Sequence, residues 1–459
     1  MKCIELRDNQ IEPVRKGVEF FKSKEAKPSL IVAPTAFGKS IVISSIAHEI
    51  GEKIIVLQPS KELLEQNLSK LKALGGEASI YSASLGVKEI GHITYATIGS
   101  IKNIGHLFKG YKLIVDEADR YPKGASGMFG SFIKSAGIKH VLGLTATPFK
   151  LETLGGMYES YSVLKMLTSR SKKGIFFKEI IHICQIQEMT ANNYWPPIMY
   201  ETFDFNTSEL VYNTTKAEYT DSSIKKAYTD QKIEEKIVDY VSKTQRKSIL
   251  IFVPSVADAI SLTKKIPGAE AVWGDMPPKE RKRVIEGFKA LSIRVVVNVN
   301  VLSVGFDHPQ LDCIIGGRAT ASLSWWYQAS ARGTRVFPDK ENLLIVDFAG
   351  NSKFGKIEKL EYVYENEWKL YGEHDYLLTG IPIDEIGKHT KETEKKKQES
   401  IEIEHLNTLQ IQDEGIIPFG KFKGKRVSET PQWWRDWMLK NFKFNKTTEF
   451  IRTHINNLT

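Results

Sequence analysis

Apolar residues gather into two series of short, nearly continuous runs. The first occupies 29–34, 53–59, 92–97, 112–117 and 140–147, and the second 248–255, 269–274, 293–300, 311–317 and 342–348. Runs of this kind, rich in Ile, Val and Leu and bounded by turn-forming residues, are the pattern of strands buried on both faces. Stretches of helical period separate them, such as Lys61–Leu74 and Pro278–Ala290. Strands alternating with amphipathic helices predict an α/β fold in which parallel, doubly wound sheets carry helices on both faces. The chain holds two such units, expected at 1–160 and 236–350, with a linker and the start of the second lobe at 161–235.

After Gly350 the pattern weakens. A connector is expected over 351–404, ending in the mixed-charge run Lys388–Glu404 that suits a solvated helix or tether. A small α+β module should follow at 405–459. The length of 459 residues, with 41% hydrophobic and 26% charged residues, leaves room for several ordinary cores. No apolar run approaches a membrane span, and Met1–Gln10 lacks a secretory hydrophobic segment, so the chain is expected to work in the cytoplasm of a bacterium or a phage-infected host, without membrane contact. The cysteines Cys3, Cys184 and Cys313 are scattered and form no CxxC pair, against a disulfide framework or a zinc ribbon. A net charge of +9 favours an anionic partner.

Chemistry is concentrated in two places in the first unit. Ala33–Ser40 follows a predicted strand and opens a helical pattern, the setting of a phosphate-binding loop. There Pro34, Thr35, Ala36, Phe37 and Gly38 present backbone to phosphates at a helix N-terminus, Lys39 reaches the β and γ oxygens, and Ser40 ligates Mg2+. Further on, Val115–Asp119 ends another buried run with the sequence Asp-Glu-Ala-Asp. Asp116 would hold the magnesium, and Glu117 would polarise the water that attacks the γ-phosphate.

The order Leu6-Arg7-Asp8-Asn9-Gln10, the phosphate loop, Pro59–Leu63, Asp116–Asp119 and Thr145–Pro148 resembles the first lobe of superfamily 2 helicases. Val297–Asp307, Arg318–Ser322 and Gln328–Arg335 resemble the second, and with Val346–Asn351 the series is most similar to RadD-type DNA-repair helicases and related phage helicases. The resemblance covers roughly residues 6–351. It implies two RecA-like lobes with ATP and Mg2+ between them. It also implies that Arg7 and Gln10 read adenine, that Gly305 and Asp307 approach the nucleotide from the second lobe, and that Gln328, Arg332 and Arg335 complete the catalytic site. Ser60, Lys61, Thr97, Ser255 and Asn300 would touch the strand backbone, although serine and threonine at strand ends also serve as helix caps.

The implied activity is ATP-driven unwinding or branch migration of DNA in repair, recombination or replication. Single-stranded, forked or branched DNA would be its track, and single-strand-binding or recombination proteins its partners. An RNA-remodelling ATPase and a weakened, non-catalytic nucleic-acid-binding subunit are the alternatives. Three departures from the family pattern bear on rate: Ala36 in place of glycine, Ala331 before the first arginine, and Val299 in place of threonine.

The tail departs from the RadD-type pattern, since the scattered cysteines cannot build a zinc module. Instead Pro418–Val427 reads as a glycine-turned hairpin leading into a short aromatic helix over 429–437. Lys421, Lys423, Lys425 and Arg426 are the expected nucleic-acid contacts there, and most of the tryptophans Trp433, Trp434 and Trp437 are expected in the module's core.

Overall fold

A computed structural model of the chain describes residues 5–121, 124, 126–155, 160–302, 306–396, 412–444 and 448–458. It divides into two compact units, Met1–Lys388 and His389–Thr459.

The first unit contains both predicted lobes. Its first sheet is built from β1 (Ser29–Val32), β2 (Ile54–Gln58), β3 (Ser79–Ser82), β4 (Val87–Lys88), β5 (Ile93–Thr97), β6 (Lys112–Val115) and β7 (Val141–Thr145). After the antiparallel hairpin β8 (Phe149–Gly155) and β9 (Ser160–Met166), the chain returns to add β10 (Glu179–Ile183). The order is β10-β1-β7-β6-β2-β5-β3-β4, parallel except for the last pair. The central strands are buried along their whole length, as their unbroken apolar runs require. Because β1, β7 and β6 are neighbours, with Val32 opposite Thr145 and Val115 opposite Gly143, the segments that leave their carboxyl ends meet in space. Those segments are the phosphate loop, Thr145–Thr147 and Asp116–Asp119.

The second sheet holds β11 (Ile198–Thr202), β12 (Ile249–Phe252), β13 (Glu270–Val272), β14 (Val295–Asn298), β15 (Cys313–Gly316) and β16 (Leu343–Asp347). Its order is β11-β16-β15-β12-β14-β13, parallel throughout. All ten strands expected from the apolar runs are present, each trimmed at one or both ends. The edge strands β10 and β11 escape the periodicity because their residues are only partly buried or exposed. They extend the first sheet to 183, past the expected boundary at 160, and start the second at 198, with the short helix Ile186–Ala191 between them.

The connector beyond 350 also differs from the expected tether. Residues 351–388 fold back onto the first lobe through a hairpin, β17 (Glu361–Glu365) and β18 (Glu367–Tyr371). Gln185 exchanges two hydrogen bonds with the Tyr362 backbone, at 2.7 and 3.0 Å, and Val163 bridges to Pro382. Apolar residues such as Leu360, Tyr362 and Leu370 are buried here, and burial of that surface is what a solvated tether would lack. Of the mixed-charge run, residues 397–404 lie outside the described residues, as does Cys3. Cys184 and Cys313 are buried free thiols. Among the described residues, no helix is long and apolar enough to cross a membrane.

In the second unit a small aliphatic core of Ile417, Val427, Met438, Ile451 and Ile455 is covered by half-buried rings. The glycine-turned segment is a short, irregular hairpin: its arms pair through the Ile416–Arg426 bridge, with the Val427 N–H donating to the Gly415 carbonyl at 2.8 Å and the Ile417 N–H to the Lys425 carbonyl at 2.9 Å. The helix Gln432–Asn441 carries the tryptophans. Contrary to expectation, most of them lie outside the core. Trp434 packs against it, whereas Trp433 and Trp437 are 60% and 52% exposed. The helix points Trp434 and Met438 inward, and aliphatic residues already fill the space behind them.

Candidate active site between the two lobes

The phosphate loop follows β1 and ends in the helix Lys39–Glu49. Gly38 turns the chain with φ 93°, and a Cβ there would lie 2.5 Å from Gln10 Nε2. That close approach is used: the buried Gln10 amide donates to the Phe37 carbonyl at 2.6 Å and accepts from the Arg7 backbone N–H at 3.0 Å. Gln10 thus holds the loop. The Phe37 side chain is fully buried in the core, so only its backbone belongs to the loop. Arg7 lines the cavity and stacks on Tyr194, with the guanidinium 5.0 Å from the ring centroid. Ala36 adopts φ 62°, the left-handed region that explains why glycine suits this position.

Asp116 and Glu117 leave the end of β6, Glu117 with φ 47°. Asn67 donates to Asp116 Oδ2 at 2.9 Å, and the Glu117 backbone N–H to Asp116 Oδ1 at 2.9 Å. Burial and the neighbouring Glu117 push the Asp116 carboxyl up to about 7, opposed by Lys39 and the Asn67 bond. Lys39 Nζ stands 3.8 Å from Glu117 Oε1, and Glu117 Oε2 is buried without a hydrogen-bond partner among the described residues. On the first-lobe side of the cavity a single ammonium faces two adjacent carboxylates, and an orphaned carboxylate oxygen wants a donor. Both features fit Mg2+ held by Asp116 and Ser40, with a water polarised by Glu117.

Asp119 connects this chemistry to the second lobe. Thr145 and Thr147 donate their hydroxyls to its two oxygens at 2.6 and 3.1 Å, and Gln328 Nε2 reaches Oδ2 at 3.4 Å and Thr147 Oγ1 at 3.2 Å. Burial and Glu117 raise the Asp119 carboxyl, opposed by the two threonine hydroxyls.

Gln328 sits on the helix Leu323–Ser330, which ends in a single turn over Ala331–Gly333. Ala331, at φ −75° and ψ 0°, needs no glycine there. Arg332 is buried, with Nε donating to the Gln328 carbonyl at 3.1 Å and Nη1 to the Phe306 carbonyl at 3.3 Å; burial lowers it to about 10, opposed by Glu117. Arg335 forms an ion pair with Asp307. Lys340 clips this loop in place, donating to the carbonyls of Pro309, Gly333 and Arg335 at 3.1, 2.5 and 2.9 Å. One cavity is therefore lined from the first lobe by Arg7, Lys39, Ser40, Asp116 and Glu117, and from the second by Asp307, Gln328, Arg332 and Arg335. Gly305 lies outside the described residues.

Several residues at this cavity carried no signal in the sequence. Gln66 and Lys70 line it from the helix Lys61–Ala73, beside Leu63 of the Pro59–Leu63 motif, and Asn67 of the same helix holds Asp116. Tyr327 accepts from the Thr35 backbone N–H at 3.3 Å, and Trp195, between the two sheets, donates to the Thr35 carbonyl at 2.9 Å.

The expected strand contacts lie at or just beyond the carboxyl ends of β2, β5, β12 and β14. Ser60 and Ser255 are the same device in two lobes, each capping a helix by accepting a backbone N–H at 3.3 Å, from Leu63 and from Asp258. Lys61 is exposed beside Ser60. Thr97 pairs with Ser100 at 2.9 Å, and the exposed Asn300, at φ 57°, accepts from Arg318 at 2.9 Å.

Two family models match this chain: "Type III restriction enzyme, res subunit" over residues 3–150, and "Helicase conserved C-terminal domain" over residues 232–337. A 51.5 kDa protein of a Lactococcus phage (isolate 7-9) is 24% identical over 356 residues, covering 75% of this chain and 71% of its own. The putative ATP-dependent helicase IRC3 of Saccharomyces cerevisiae is 33% identical over 125 residues, but the match spans 26% of this chain and 18% of that protein. Among solved structures, the ATP-dependent Type ISP restriction-modification enzyme LlaBIII bound to DNA aligns with TM-score 0.54 at 15% identity, over 77% of this chain and 28% of that one. A putative HsdR subunit of a type I restriction enzyme from Vibrio vulnificus aligns with TM-score 0.53 at 16% identity, over 75% and 64%. The two lobes thus share their fold with parts of these two restriction-enzyme chains.

Proposed function

We propose that this chain, a superfamily 2 helicase by its two matched domains and its fold, hydrolyses ATP in the interlobe cavity and uses the cycle to move along DNA, unwinding or branch-migrating it. The observation that carries this reading is the convergence of Lys39, Asp116 and Glu117 with Gln328, Arg332 and Arg335 on one cavity. Neither lobe holds a complete set.

The roles follow from position. Backbone N–H groups of the phosphate loop and the Lys39 ammonium bind the phosphates. Mg2+ held by Ser40 and Asp116 would neutralise charge on the phosphate oxygens. Glu117 takes the proton of the attacking water, and its buried Oε2, unpartnered among the described residues, suits that task. Arg332 and Arg335, presented by the other lobe, stabilise charge on the transferring phosphoryl only while the lobes are together, which ties hydrolysis to lobe closure. Asp119, bonded to Thr145, Thr147 and Gln328, carries that closure toward the strand-binding ends of the sheets.

DNA as the track is supported by the restriction-enzyme description of the first-lobe family and by the DNA-bound title of LlaBIII. Ser60, Lys61, Thr97, Ser255 and Asn300 are the proposed backbone contacts, independent of base sequence and sensitive to salt. The deciding experiment is ATP hydrolysis measured with single strands, duplexes, forks and four-way junctions of DNA, and with matched RNA, at stated salt. Stimulation by DNA supports the reading; stimulation by RNA alone, or no turnover with any polymer, overturns it.

A further inference from the structure

The exposed tryptophans of the second unit have no structural task in its core. Trp433 and Trp437 stand one helical turn apart on Gln432–Asn441, so their rings share a face, while Trp434 and Met438 occupy the core side. Phe422, half-buried, extends the row: its ring lies 6.3 Å from that of Trp433, with Lys421 Nζ 5.9 Å from the Phe422 centroid. Hydrogen bonds fix the start of the helix. Arg435 donates to the Thr430 carbonyl and to Gln432 Oε1, both at 2.6 Å, and Gln432 donates to Asp436 at 2.9 Å. Gln432, Arg435 and Asp436 are thus bonded to one another or to the backbone.

We propose that Trp433, Trp437 and Phe422 form a stacking platform for unpaired bases of a single strand, whose phosphates are met by Lys421, Lys423 and Lys425. Charge selects this occupant. From 405 to 459 there are nine Lys and Arg against five Asp and Glu, and the three lysines are exposed within four residues of Phe422. Arg426 contributes less, because it is paired with Glu414 at 3.3 Å. Flat rings beside flexible cations suit a polymer that offers a π-face and a phosphate at every step, whatever its base sequence. Duplex DNA hides its base faces, so the platform separates unpaired from paired strands. This deepens the DNA-motor reading by giving the second unit a grip on the unwound strand.

The test uses the full chain. The double variant Trp433→Ala/Trp437→Ala, the conservative Trp433→Phe/Trp437→Phe, and Lys421→Gln/Lys423→Gln/Lys425→Gln are compared with the parent. Each is measured for binding to oligo(dT), to an abasic strand of equal length and to a duplex, across a salt series. Losing the rings should weaken oligo(dT) binding about tenfold per ring while leaving abasic-strand and duplex binding, the salt slope and basal ATP hydrolysis unchanged. The phenylalanine pair should retain most of the affinity, and the glutamine triple should flatten the salt slope. Unchanged oligo(dT) binding by the alanine pair, or an equal loss on the abasic strand, overturns the platform. A parent without polymer-stimulated ATP hydrolysis that still shows the ring-dependent loss retains the platform and defeats the motor reading instead.

Discussion

Gln328 of the second lobe donates to Asp119 of the first at 3.4 Å, and the same nitrogen reaches Thr147 at 3.2 Å. The bond crosses from the helix that precedes Arg332 and Arg335 to the turn that follows Glu117.

Replacing Gln328 with Ala should therefore separate binding from turnover. A hydrogen bond to a charged group is worth about 1.5–3 kcal/mol, so polymer-stimulated kcat should fall roughly tenfold or more, with ATP affinity within about twofold of the parent. Steady-state kinetics with and without DNA check this. A parent-like stimulated rate would show that the contact does not couple the lobes.

Glu117→Gln should retain ATP binding and lose hydrolysis by about a hundredfold or more, since the amide cannot take the proton of water. Lys39→Ala should lose binding itself. Equilibrium binding of a nucleotide beside single-turnover hydrolysis distinguishes the two, and brisk hydrolysis by either variant would remove that residue from the site.

Trp195→Phe deletes the indole donor that holds the Thr35 carbonyl at 2.9 Å, deep in the protein. The loss of one buried hydrogen bond should cost about 1–3 kcal/mol and lower both the Tm and the affinity for ATP, because the freed carbonyl belongs to the phosphate loop. If thermal denaturation and nucleotide titration both match the parent, the tryptophan is filling space only.

His308 gives the second lobe an acid limit. It is almost fully buried, bonded through Nε2 to Ser248 Oγ at 2.8 Å, and burial with Lys289 and Lys340 lowers it from 6.5 to about 4. Below its unfolded value only the unfolded chain takes up the proton. Stability is therefore lost as pH falls from about 6.5 to about 4, by on the order of 3 kcal/mol. Denaturant titrations of the parent and His308→Gln over that range should show a shallower fall in the variant. Parallel pH profiles would contradict the assignment.

Ala36→Gly relieves a left-handed backbone that costs alanine about 1–2 kcal/mol, against about 0.5–1 kcal/mol of extra unfolded-state entropy. The net gain should be small, about 0–1.5 kcal/mol, and because both terms compare the folded with the unfolded chain it should appear as a Tm equal to or slightly above the parent's, with nucleotide binding little changed. Weaker binding by the variant would mean that the methyl group makes a needed contact.

The amino-acid sequence by itself determined the two sheets, their ten principal strands and which phosphate-loop and carboxylate residues stand at the ends of β1 and β6. Continuous apolar runs and a phosphate loop are local patterns, and local patterns survive without coordinates. Tertiary structure decided everything that depends on which distant groups touch. Only the folded chain shows that Gln10 holds the phosphate loop, that Trp195 and Tyr327 grip Thr35 from outside its lobe, and that Lys340 ties together the carbonyls of Pro309, Gly333 and Arg335. Edge strands, the hairpin strap over 361–371 and the outward tryptophans were equally hidden, because partial burial leaves no period and because the side of a helix that faces water is set by what packs behind it.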